Sequence, residues 1–265
     1  MKRPAWIRVA WVGTLCAGAL ILLAQWPVTT RVGVNYVWTA KRIPLYAKTI
    51  NFLSRDLQTR QIATEAVAGA VTEEEKLLQI FSWVTSHIQA TPAGFPLVDD
   101  HPLHVIIRGY GGQDQRTETF VLLAGYNGFQ AVLTRVMPPP TTREVMFALV
   151  RCRRKTLLFD VVHRVVFRNE RGELADLAEL LQRPQLIARA APGLIVGGLP
   201  YAQYVLAVPE ERKIFSRTEA QQFWPRLKQE LGRLFGFGRQ PSPHWMRKAQ
   251  DVGRACVRVA SDEST

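Results

Sequence analysis

Apolar and polar positions along the chain change rhythm several times, and each rhythm predicts a different element. From Val9 to Trp26 no charged residue occurs. That run of about 18 positions is close to the shortest helix that crosses a hydrocarbon core of roughly 30 Å. Residues 27–71 read as a mainly helical, basic lead-in, with apolar positions at Ile43, Leu45, Ile50 and Leu53. Leu77, Leu78, Phe81, Val84 and Ile88 then form an apolar stripe at helical spacing. Thr72 with Glu75 three positions on reads as the capping box that starts this helix. The acidic residues of its first turn complement the helix dipole.

The stretch "ATPAGFPLVDDHP" is a loop by its Pro and Gly content. A helix opened by Gln113 or Asp114 runs to about Ala124. Three strands follow: "QAVLTRV", "VMFALVRC" and "TLLFDVVHRVVF", the last two joined by a tight basic turn at "RRK". "MPPPTTRE" is the loop between the first two, "NERGE" is a turn, and Asp176 stands where it caps a short helix, "LAELLQ". The apolar run 194–209 carries Pro200, Pro209 and glycines, and reads as buried extended chain. Beyond position 218, Phe223, Leu227, Leu231 and Leu234 predict an amphipathic helix with Pro225 near its first turn. Helices followed by antiparallel strands predict an α+β architecture.

Charge orients the N-terminal segment. Lys2, Arg3 and Arg8 precede the apolar run, and Trp6, Trp11 and Trp26 lie near its two ends, as interface tryptophans do. The positive-inside rule keeps the N-terminus cytoplasmic and everything after Trp26 outside, although Arg31, Lys41 and Arg42 weaken the contrast. The competing reading is a cleaved signal peptide, but "LLAQWP" offers no small-x-small site. Cys16 follows Leu15 rather than a small residue, which disfavours lipoprotein processing. The expected layout is a cytoplasmic tail over 1–8, a transmembrane anchor over 9–26 and the helical lead-in over 27–71. A globular domain over 72–209 and a C-terminal amphipathic helix and tail over 210–265 complete it. The expected location is single-pass in a bacterial inner membrane, with the globular domain periplasmic.

Over all 265 residues the formal net charge is +12. Such an excess favours anionic partners, such as phospholipid headgroups or acidic polysaccharide; solvated surface explains it equally well. No zinc-finger spacing and no interleaved Arg/aromatic stripe accompanies it, so nucleic acid is not an expected partner. The three cysteines, Cys16, Cys152 and Cys256, form neither a disulfide framework nor a zinc site. A Cys152–Cys256 bridge remains open in an oxidising compartment. No metal and no cofactor are expected.

The stretch "EEKLLQIFSWV", the glycine-flanked entry "GYGGQDQRTETF", the turn into a strand at "GFQA" and the pair "VMFALV"/"LLFD" together resemble the transglutaminase-like superfamily. The core of that superfamily is similar to that of papain-like proteases. The resemblance covers roughly residues 70–168. It implies a core of helices packed on an antiparallel sheet and a Cys–His–Asp triad. Counting back from Gly128 by the family's spacing places Gln113 in the nucleophile position. Val145 takes the histidine position, with Glu144 and Met146 as neighbouring alternatives, and Asp160 takes the aspartate position.

Thiol chemistry of that kind needs a cysteine whose pKa falls beside a helix N-terminus, an imidazole base, and a carboxylate to orient it. A Gln amide does not ionise near neutral pH, and valine carries no proton. The expectation is therefore a membrane-anchored, extracytoplasmic pseudoenzyme that binds a partner, in envelope or exopolysaccharide assembly. Its binding candidates are Gln113, Asp114, Asp160, His104 and Tyr110. A second expectation is a hydrolase rebuilt from Asp114, Glu118 or Asp160 with His104. A third is a basic protein that binds polyanions or lipid surfaces. His163, three positions past Asp160 in the expected strand, falls on the opposite face. Cys152, in a strand, reads as buried and inert.

Overall fold

The computed structural model describes residues 5–34, 37–95, 101–209 and 222–234. Two compact units divide the chain, 1–222 and 223–265. The first is an α+β unit that begins with helix α1 (Ala5–Ala24). α1 occupies the expected anchor, with side chains described from Trp11 on. Among the described residues no helix is long and apolar enough to cross a membrane.

The lead-in is only half helical. Strands β1 (Pro27–Val34) and β2 (Val37–Pro44) pair antiparallel, with Pro27 opposite Pro44, before α2 (Leu45–Glu65) begins. "PVTTRVGV" is rich in β-branched residues, which favour a pleated backbone over a helix. The expected helix over that part was therefore wrong. α3 (Glu73–His87) starts on the predicted capping box: Thr72 Oγ1 accepts from Glu75 N at 3.1 Å, and Glu75 Oε2 accepts from Thr72 N at 3.0 Å.

The expected loop after α3 is shorter than its sequence suggests. Strand β3 (Gln89–Ala90) precedes it, and α4 (Pro102–Arg108) follows it. Pro102 supplies a helical φ at the first turn, the His101 ring accepts from Leu103 N at 3.3 Å, and Gly109 ends the helix at φ 72°. His104 thus belongs to a helix and His101 caps it. Strand β4 (Tyr110–Gly111) pairs parallel with β3, and α5 (Gln113–Tyr126) follows.

The main sheet has four antiparallel strands in sequence order: β5 (Gln130–Val136), β6 (Val145–Cys152), β7 (Lys155–Asp160) and β8 (Val165–Val166). One face packs against α3 and α5 through Leu77, Phe81, Phe120, Ala148, Val150 and Phe159. The other carries Val145, Phe147, Leu149 and Leu158 against the later helices. These are α6 (Leu177–Gln182), α7 (Pro184–Ala190) and α8 (Tyr201–Leu206), with the hairpin β9 (Ile195–Val196) and β10 (Leu199–Pro200) before α8. The run 194–209 is therefore a short hairpin and a helix, not the extended chain expected. Asp176 precedes α6 but does not cap it with its side chain; Oδ1 instead accepts from Thr156 N at 2.9 Å, tying α6 to β7. In the second unit, α9 (Phe223–Leu234) forms the predicted C-terminal helix.

Candidate functional site

The entry to α5 is built from local hydrogen bonds. Arg108 Nε donates to Tyr110 O at 2.8 Å, and its Nη2 donates to Gln115 Oε1 at 2.7 Å. Gln115 Oε1 also accepts from Gly112 N at 3.1 Å, which seals one end of the helix. Gly111 passes so close to this knot that a Cβ there would lie 3.0 Å from Val105 Cγ1 and 3.1 Å from Gln115 Oε1. A larger residue would push the segment outward. Gln113 follows as the first helical residue and is exposed; Asp114 is half-buried. A thiol at position 113 would feel the positive end of a 14-residue helix, but the amide gains no charge from it. Tyr110 is held in place by the Arg108 guanidinium 5.4 Å from its ring centre and by Phe95 edge-on at 5.6 Å.

Val145 and Asp160 lie across the sheet from that helix. β6 and β7 pair with Ala148 opposite Phe159, so the same register sets Asp160 beside Phe147, on the face it shares with Val145. α5 covers the other face. Among the described residues, no hydrogen bond joins Gln113, Val145 and Asp160. The two sides meet through Arg116, which is 5% exposed and whose Nη2 donates to Val161 O at 3.2 Å. Burial lowers its pKa, as does the nearby Arg164 charge, while the Asp160 charge opposes both. Arg116 is thus a buried cation beside the buried Asp160.

Asp160 is fully buried and fully engaged. Oδ1 accepts from Val162 N at 3.0 Å and His163 N at 2.9 Å, and Oδ2 accepts from Tyr201 Oη at 2.7 Å and His163 Nδ1 at 2.8 Å. This corrects the placement of His163 on the opposite face. Strand alternation stops at Asp160, residues 161–164 form a turn, and the turn folds His163 back onto the carboxylate. Burial raises the pKa of Tyr201, with the Asp160 charge and hydrogen bond adding to it, so Tyr201 is a neutral donor. The resulting Asp–His pair, edge-on to Tyr201 at 5.7 Å, is an oriented imidazole with no strand partner of the expected kind.

The other candidates do not join it. His104 lies on α4 with Nε2 3.5 Å from Arg55 Nη2, and none of the Asp160 hydrogen bonds is with His104. Glu118 is buried within α5. Cys152 is buried, donates to Glu73 Oε2 at 3.4 Å, and has its pKa pushed up to about 11, chiefly by burial. Cys256 lies outside the described residues. Among the described residues no cluster of His, Cys, Asp and Glu can hold a metal.

Sequence reasoning missed Tyr201, gave Arg116 no role and dismissed His163. The only turn signal in "DVVHR" is Asp160 itself, with no Gly, Pro or Asn beside it, and Tyr201 reaches Asp160 from 41 positions away. An open hollow of about 530 Å³ lies elsewhere, at the start of α3 and the end of β6, and none of Gln113, Val145 and Asp160 lines it. No family model matches the chain, and no curated protein matches it.

Proposed function

We propose that the chain is a membrane-anchored, extracytoplasmic pseudoenzyme with a transglutaminase-like core, acting as a binding or scaffolding component in envelope or exopolysaccharide assembly. One observation carries this reading: an uncharged amide, Gln113, stands exposed at the first position of α5, where the resembled chemistry needs a thiolate. The anchor finds support in the exposed apolar side chains of α1, among them Trp11, Leu15, Leu20 and Leu22 at 63%, 68%, 66% and 74% exposed.

The test is a pull-down of the anchored protein from its native membrane, comparing the parent chain with Gln113→Arg. Loss of one specific partner supports binding at the α5 entry; identical partner sets move the interaction elsewhere. Turnover of amine donors or peptide esters that disappears in Gln113→Ala would refute inactivity.

A second reading rests on the Asp160–His163 pair: a hydrolase whose base is His163, oriented by Asp160. It replaces the expected use of His104. Hydrolysis of an ester or amide that is lost in both His163→Ala and Asp160→Asn, with the fold retained, would establish it.

A further inference from the structure

The hollow at the start of α3 carries an excess of positive charge that its own carboxylates do not absorb. The three glutamates of the first turn are already engaged. Glu75 serves the capping box, Glu74 lies 3.7 Å from Lys155 Nζ, and Glu73 lies 3.4 Å from Arg153 Nε while accepting from the Cys152 thiol. Lys76 and Arg151 also line the hollow, and among the described residues neither has a carboxylate partner. Two cations therefore face a concavity of about 530 Å³, within the roughly 300–1,000 Å³ typical of small-ligand pockets.

The rest of the lining limits what fits. Gln130 brings an exposed side-chain amide, Asn127 brings only its amide oxygen because its Nδ2 donates to Ala63 O and Leu123 O, Gly128 leaves backbone exposed, and the half-buried Phe129, which also packs against the core, supplies the aromatic surface. Amides suit hydroxyl groups, an aromatic ring suits the apolar face of a sugar, and paired cations suit a carboxylate or phosphate. We infer that this hollow binds an anionic saccharide, a sugar bearing a carboxylate or a phosphate, with Lys76 and Arg151 holding the anionic group. The site is separate from the α5 entry, so its failure and the failure of the pseudoenzyme reading are distinguishable.

Full-length protein in detergent micelles is titrated calorimetrically with digalacturonate, glucose 1-phosphate and maltose. Saturable binding of either acid, with maltose at least about 10-fold weaker, is expected, because a lost charged hydrogen bond is worth about 1.5 kcal/mol or more. Binding of digalacturonate alone identifies the carboxylate as the recognised group, and binding of glucose 1-phosphate alone identifies the phosphate. Lys76→Gln and Arg151→Gln each weaken binding by about 10-fold on the same basis. Arg154→Gln, in the same hairpin but outside the hollow, leaves binding unchanged, as does Gln113→Arg. Circular dichroism checks that each variant folds, and if Arg151→Gln does not, Lys76→Gln decides. Equal binding of maltose, no saturation by either acid below about 10 mM, or an equal loss in Arg154→Gln overturns the inference.

Discussion

Asp160 accepts four hydrogen bonds, two from backbone N–H groups and one each from Tyr201 and His163. Removing it strands several buried donors at once, so Asp160→Ala is expected to cost about 3 kcal/mol in urea unfolding. Tyr201→Phe removes one donor of the four and is expected to cost about 1 kcal/mol. If Asp160→Ala proves as mild as Tyr201→Phe, the network is not the anchor of this turn. Cys152 gives a pH dependence. Its folded pKa, about 11, lies above the ordinary 9.0. The folded chain therefore holds this proton to higher pH than the unfolded chain, and the thiol's contribution to stability falls as pH rises from 9.0 towards 11. In the folded protein at pH 8, Cys152 should resist iodoacetamide and react only after denaturation, which mass mapping of the alkylated peptide reads directly.

At the scale of elements, the clearest sequence signals were those set by near neighbours. The Thr72–Glu75 box starts α3 where it was expected, and Thr72→Ala should lower stability by about 1 kcal/mol, measured as a shift in the urea midpoint. The strands β5, β6 and most of β7 were legible from short apolar runs, and so was the turn between the last two. The errors have separate causes. The apolar spacing at Leu45, Ile50 and Leu53 belongs to α2, and extending the helix back over residues 27–44 overlooks the β-branched residues of β1. α4 is short, and in the sequence its Pro102 start reads as loop punctuation. β7 ends at Asp160 because the carboxylate captures two backbone donors of the next residues, a turn that an aspartate can signal but that the apolar residues on either side hide.

At the scale of the whole molecule, the net charge of +12 and the exposed apolar side chains of α1 bear on where the protein works. If α1 is an anchor, the protein stays in the membrane pellet after washing at high pH, and Cys16, near the middle of the span, resists maleimide in intact membranes and reacts only after denaturation in detergent. Release by such washing would instead point to adhesion through surface charge, which weakens steeply with salt.

Periodicity and short apolar runs by themselves determined α3, α5, the strands β5, β6 and most of β7, and the C-terminal helix, because each depends on residues a few positions apart. The tertiary structure decided the rest. It set Asp160 and Val145 on the sheet face away from α5, brought His163 and Tyr201 onto one carboxylate, and gathered Lys76 and Arg151 around one hollow. Those meetings depend on strand register and on how a turn closes, and side chains distant in sequence leave no periodic trace of where they converge.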